Sequence, residues 1–197
     1  MVDMVAELIG VNVKFHHCKI NLKCPGANTT VHYHQDFAFT PHSNDDVVTA
    51  LLLLDDVTEN NGCLMVVPGS HKGEMYSLYD GKQFIGRVDD ATEAFLKSKQ
   101  IPVVGSAGDV CLMHTRLAHG SAPNKSETSR GLYICVYTAA DAVPLARNPM
   151  PSPNEGLIVR GEQQISARMI NFEVELPQQP KSASFFTVQG QKSATGK

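Results

Sequence analysis

Two residues of different donor chemistry, His34 and Asp36 in Val31-His32-Tyr33-His34-Gln35-Asp36-Phe37, put the strongest constraint on what this chain can fold into. In extended backbone, residues i and i+2 point to the same side, so an imidazole nitrogen and a carboxylate oxygen can reach a common point. A metal held there needs a third ligand, which His119 in Leu117-Ala118-His119-Gly120-Ser121 offers from far along the chain. Two histidines and one carboxylate make a facial triad that leaves three positions of an iron(II) ion open. The fold must then bring strand ends near residues 34 and 119 to one mouth. A second ligand set stays open on residue types alone. His32, His34 and His119 would form a three-histidine site of the cupin type, which normally recruits a nearby glutamate, and none lies between Gln35 and Asn44. His16 and His17 read as strand residues, His42 as a loop residue, and His114 as a core histidine or a partner behind the ligands.

Composition narrows the partner. At 197 residues, with 42% hydrophobic and 19% charged, the chain can build one domain with a sizeable core. A formal net charge of -3 gives no electrostatic footprint for nucleic acid or an anionic membrane, so the expected partner is a small-molecule substrate. The five cysteines are odd in number and include no Cys-x-x-Cys pair, as expected of reduced thiols. Asp3 and Glu7 make the N-terminus a poor signal peptide, and the longest apolar run, Val47 to Leu54, is too short to span a bilayer. The expectation is a soluble, cytoplasmic protein.

Periodicity outlines the elements. Val2, Val5, Leu8 and Ile9 lie at helical spacing before Gly10. From Val13 to Lys23 the period is two, with Val13, Phe15, His17, Lys19, Asn21 and Lys23 sharing one face. Beyond residue 17 that face is polar, which suits either solvent or a polar pocket. Val47 to Leu54 reads as a central strand that pairs in a hairpin with Cys63 to Val67. Ile101 to Val104 and Val110 to His114 read as a second hairpin, across Gly105-Ser106-Ala107-Gly108-Asp109. Between the hairpins, Asp89 to Gln100 reads as a helix capped by Asp89 or Asp90, with Ala94 and Phe95 inward. Arg130 to Thr138 is the last clear strand, placing Arg130, Leu132, Ile134, Val136 and Thr138 on one side. Residues 1–177 read as a single domain with a core over about 11–140 and a wrapping segment over 141–177. The polar stretch 178–197 reads as a disordered tail. The fold class is mostly β, with a few flanking α-helices. A jelly roll suits it, because two stacked sheets bring strands far apart in sequence around one mouth.

Over roughly residues 5 to 140 the chain resembles the phytanoyl-CoA dioxygenase family of iron(II) and 2-oxoglutarate dependent oxygenases. The resemblance rests on an ordered set of motifs: His34-Gln35-Asp36, Asn61-Gly62-Cys63-Leu64 leading to Pro68-Gly69-Ser70-His71, Gly108-Asp109-Val110, and His119-Gly120-Ser121 with Asn124 and Arg130. It implies a double-stranded β-helix with iron on His34, Asp36 and His119. It also implies that Arg130 clamps the distal carboxylate of 2-oxoglutarate, assisted by the Ser121 hydroxyl and the Asn21 amide. A planar guanidinium suits that role, because it makes a bidentate, charge-assisted contact with a carboxylate. The implied activity is hydroxylation of a small organic substrate, with conversion of 2-oxoglutarate and O2 to succinate and CO2. Relatives that halogenate have a small residue in place of the carboxylate, so Asp36 favours hydroxylation. Lys19 and His71 are the candidate substrate contacts. Family members usually carry more chain before the opening helix, which leaves a second reading: a jelly-roll protein that binds a metabolite or partner without turnover.

Overall fold

The computed structural model describes residues 1–178 and Gln189, so the polar tail expected over 178–197 lies almost wholly outside the described residues. The chain opens with helix α1 (Val2–Ile9), which buries Val5, Ala6 and Ile9 and ends at Gly10 with φ 96. Eleven strands follow: β1 (Val13–Lys23), β2 (Val31–His34), β3 (Val47–Leu53), β4 (Leu64–Val66), β5 (Tyr79–Asp80), β6 (Gln83–Phe84), β7 (Ile101–Val103), β8 (Val110–His114), β9 (His119–Ser121), β10 (Arg130–Ala139) and β11 (Ile158–Arg160). Helix α2 (Asp90–Lys97) lies between β6 and β7. A five-stranded sheet in the order β11-β1-β10-β3-β8 faces a four-stranded sheet in the order β2-β9-β4-β7, and β5-β6 forms a separate ribbon. All the strand pairings are antiparallel.

Both expected hairpins are corrected. β3 pairs with β10 and β8 in the larger sheet, while β4 pairs with β7 and β9 in the smaller one. Each apparent turn is a corner at which the chain crosses between sheets. The two corners are tied together by reciprocal backbone hydrogen bonds between Val57 and Gly105, 2.8 and 3.1 Å long. Gly108, with φ 95, and the Asp109 carboxylate, which accepts from the Ser106 amide at 2.8 Å, shape the second corner. The sheets enclose Leu51, Leu53, Val57, Cys63, Val66, Met113, Leu132 and Ile134, and that packing keeps two strands joined by a short loop in different layers.

The face assignment along β1 needs one change. The register slips between Phe15 and His17, so Val13 and Phe15 turn outward to pack under α1, while Lys19, Asn21 and Lys23 turn inward. The polar face is thus the interior one, and Ile20 and Leu22, 62% and 63% exposed, lie on the outer surface. In α2 the Asp89 carboxylate caps the Ala91 and Thr92 amides as expected, but Glu93 and Leu96 are the buried residues. Ala94 and Phe95 are exposed, and the Lys99 ammonium lies 4.1 Å from the centre of the Phe95 ring. Glu93 is drawn inward by three cationic or polar partners, His32 at 3.0 Å, Lys97 at 2.8 Å and Arg87 at 4.0 Å.

Candidate metal and cosubstrate site

The metal-ligand stretch straddles a strand end. His34 closes β2, and Asp36 opens a short 3-10 turn over Asp36–Ala38, yet Gln35 between them is extended (φ -119, ψ 124), so both side chains reach the same side. Gln35 points the other way and is fully buried. Its amide donates to the carbonyls of Glu74 (3.1 Å) and Arg116 (2.7 Å), and its oxygen accepts from the Tyr76 amide at 2.8 Å. The middle residue of the motif therefore locks two loops against the ligand strand. His119 starts β9, and Cα pairing of His34 with His119 places the two imidazoles side by side, ring centres 4.2 Å apart.

His34, Asp36 and His119 are the one set of three such ligands brought together among the described residues, their donor atoms all within 4.8 Å of one another. The His34 and His119 Nε2 atoms lie 3.4 and 3.6 Å from one Asp36 oxygen. Each Nδ1 donates to a backbone carbonyl two residues back, His32 and Leu117 respectively, both at 2.8 Å. That fixes the tautomer and turns the Nε2 lone pairs to the common point. The other Asp36 oxygen accepts from Thr49 Oγ1 at 3.1 Å. Burial opposes ionisation of Asp36, but the His119 and His34 imidazoles and the Lys19 ammonium outweigh it and hold the carboxyl well below the usual carboxylate range. Burial, then repulsion from His34, lowers His119 to about 4, so its lone pair is free at neutral pH. A carboxylate oxygen and two imidazole nitrogens are a donor set that suits iron(II). His32 is not among the ligands gathered there, and its Nδ1 lies 3.0 Å from the Glu93 carboxylate. The three-histidine set is therefore not assembled among the described residues.

Beside the triad, one cavity is lined by Lys19, Asn21, Lys23, Thr49, Ser121 and Arg130, with an apolar floor that includes Leu51, Met113, Leu132 and Ile134. Arg130 is 2% exposed, its Nη2 donates to the Gly62 carbonyl, and its Nε has no hydrogen-bond partner. Lys23 is 4% exposed and donates to the carbonyls of Thr29 (3.2 Å) and Ala122. Burial, reinforced by the nearby Arg130 charge, lowers Lys23 to about 8. Two buried cations side by side are costly unless an anion joins them. Sequence reasoning did not select Lys23, although its alternation placed it on the same face as Lys19 and Asn21. His71 is absent from this cavity lining; its ring packs on His114, 5.6 Å between centres.

The motif residues that bind nothing themselves hold the ligand-bearing strands. Ser70 Oγ accepts from the Ala118 amide at 2.9 Å, fixing the residue before His119. Asn124 donates to the Lys23 and Thr128 carbonyls, both at 2.8 Å, closing the loop ahead of β10 onto the end of β1. At Gly62, with φ +76, a Cβ would lie 2.7 Å from the Ala122 carbonyl and 2.9 Å from the Lys23 side chain, so a side chain there would push into the cation pair. His16, His17 and His42, read from sequence as plain strand and loop residues, form a buried edge-to-face cluster with ring centres 4.8 and 5.0 Å apart. Burial lowers all three, to about 3, 4 and 4.

Known proteins share this arrangement of chain. The model of the phytanoyl-CoA dioxygenase (PhyH) family matches residues 1–132. A probable alpha-ketoglutarate-dependent hypophosphite dioxygenase of Stutzerimonas stutzeri is 35% identical over 181 residues, covering 90% of this chain and 63% of its own. The peroxisomal phytanoyl-CoA dioxygenase of Homo sapiens is 33% identical over 143 residues, covering 67% and 41%. Among solved structures, EctD from S. alaskensis with bound Fe superposes with a TM-score of 0.60 at 25% identity, over 85% of this chain and 59% of that one. The chain thus spans less than two thirds of the length of these relatives. By its family-model match and by its identity to the Stutzerimonas protein, the chain belongs to the phytanoyl-CoA dioxygenase family.

Proposed function

We propose that this chain is an iron(II) and 2-oxoglutarate dependent dioxygenase that hydroxylates a small substrate, with residues 1–177 as its one catalytic domain. The observation that carries the reading is the pair of buried cations, Lys23 and Arg130, on the wall of the cavity that holds His34, Asp36 and His119. A dicarboxylate is the ligand that satisfies both features. One end would neutralise the cations and fill the open Arg130 Nε, and the other would reach the triad. Bound iron and 2-oxoglutarate supply the oxidising chemistry, in which O2 and 2-oxoglutarate become succinate and CO2 and one oxygen atom goes to the substrate.

The protein's own contribution is placement. His34, Asp36 and His119 would hold the metal, with the cavity beside them open to the cosubstrate. Thr49 and the two backbone-anchored imidazoles keep those ligands from rotating. Ser121 and Asn21 would add polar contacts along the cosubstrate, while Leu51, Leu132 and Ile134 keep water from its chain. Lys19 faces the same space and acts on Asp36 through its charge, which makes it the candidate contact for an anionic group of substrate or cosubstrate. The Stutzerimonas relative's name, a hypophosphite dioxygenase, supports a small anion as one substrate to try first. No helix among the described residues is long and apolar enough to cross a membrane; the reading of a cytoplasmic setting rests on the five cysteines, odd in number and without a Cys-x-x-Cys pair.

The test is iron-dependent conversion of 2-oxoglutarate to succinate by the full chain. His34→Ala, Asp36→Ala and His119→Ala should each lower turnover by at least 100-fold (roughly 3 kcal/mol of lost metal binding or positioning). Turnover retained in all three would overturn the reading. Tight 2-oxoglutarate binding with no turnover on any substrate would mark a binding protein instead.

A further inference from the structure

The outer face of the larger sheet carries a pair of thiols that the proposed chemistry does not use. Cys18 on β1 and Cys135 on β10 are register partners, directly opposite across the ladder. Opposed residues of an antiparallel pair have Cα atoms about 4.5 or 5.5 Å apart, within the roughly 4.4–6.8 Å that a disulfide spans. Alternation sends both side chains outward, since the neighbouring Lys19 and Ile134 turn into the cavity. The two thiols interact with each other and with the Tyr133 hydroxyl. Cys18 is exposed and Cys135 is 2% exposed. Among the described residues no other two cysteines are register partners: Cys111 faces Leu51, and Cys24 and Cys63 lie outside the ladders.

We infer that Cys18 and Cys135 form an oxidation-sensitive dithiol that closes into a cross-strand disulfide. With hydrogen peroxide as oxidant, the Cys18 thiolate attacks one peroxide oxygen, the O–O bond breaks and hydroxide departs, leaving a sulfenic acid. The Cys135 sulfur then attacks the Cys18 sulfur, the S–O bond breaks and water leaves. Two thiols and one peroxide thus give one disulfide and two waters. Exposure assigns the order, because Cys18 meets the oxidant and the buried Cys135 waits behind it. The bond would fasten β1, which carries Lys19, Asn21 and Lys23, to β10, which carries Arg130.

The full chain is treated with stoichiometric hydrogen peroxide, its remaining thiols are alkylated, and non-reduced digests are weighed by mass spectrometry. Most of the protein should then yield Cys18 and Cys135 in one linked peptide pair, lighter by two hydrogens and separated by dithiothreitol. Cys24→Ser should still form the link, and Cys18→Ser should abolish it. Recovery of Cys18 as sulfinic acid with Cys135 still a thiol, or linkage of Cys18 to Cys24 or to a second chain, would overturn the inference.

Discussion

Arg130 is a cation with more hydrogen-bonding capacity than its surroundings fill. One donor reaches Gly62 and another finds nothing; the Lys23 ammonium lies on the same cavity wall, and the Asp55 carboxylate is a negative side chain that acts on Arg130. Charge-assisted hydrogen bonds contribute about 1.5–3 kcal/mol each. Arg130→Ala should therefore weaken 2-oxoglutarate about 10- to 100-fold in calorimetry with an inert divalent metal, leaving metal affinity in place; an unchanged dissociation constant would remove Arg130 from the clamp. Lys23 adds a pH signature. With its pKa lowered to about 8, it carries its charge below that pH and loses it above. Affinity for 2-oxoglutarate should fall as pH rises from 7 to 9, and Lys23→Met should flatten that profile. The stability effect has the opposite sign. Between about 8 and 10.5 the unfolded lysine holds its proton more firmly than the folded one, so the unliganded fold gains stability as pH rises through that window.

At the scale of elements, strand junctions set the ligand positions. Gly120 separates His119 from Ser121 on β9, and a Cβ there would lie 2.9 Å from the Val31 carbonyl and 3.1 Å from the Tyr33 ring on β2. The absence of a side chain lets β9 and β2 close upon each other, which brings His119 beside His34. Gly120→Ala should cost about 1–3 kcal/mol by overpacking. It should also weaken metal binding measured by titration, because β9 must move away from β2. Native metal affinity in a destabilised Gly120→Ala protein would show that the ligands tolerate that shift. Elements were legible in the sequence where a single rule governs them: β3 by its run of apolar residues, α1 by its spacing and Gly10, α2 by its Asp89 cap. Pairing was less legible. Short polar links after Leu53 and after Val103 look like hairpin turns, and nothing local tells a turn from a corner that changes sheets. The inward face of α2 was misread for a similar reason, since Glu93 is buried by partners on other elements, among them His32 on β2.

At the scale of the molecule, the metal and cosubstrate site should stabilise the fold, because its donors come from β1, β2, β9 and β10 and exist as a site only when both sheets are closed. A ligand that binds only the folded state adds about 2.7 kcal/mol at a 100-fold excess over its dissociation constant. For a chain of this size that is roughly 5–11 °C at about 2–4 °C per kcal/mol. Manganese(II) with 2-oxoglutarate should raise the thermal midpoint by that amount, and Asp36→Ala should remove most of the rise; an equal rise in the variant would place the binding elsewhere.

The amino-acid sequence by itself put forward the proposed metal ligands His34, Asp36 and His119 and, through the family resemblance, Arg130 and Ser121 as cosubstrate contacts. Ligand chemistry is a property of residue type, and an extended dipeptide step fixes which side chains share a side. It also determined the strand periods and the mostly β character. Only the tertiary structure decided which strands share a sheet, that the polar face of β1 looks inward, that Lys23 completes the cation pair, and that Cys18 meets Cys135. Each of these depends on contacts between residues far apart in the chain. A one-residue slip, such as the one between Phe15 and His17, is enough to exchange the inner and outer faces of a strand.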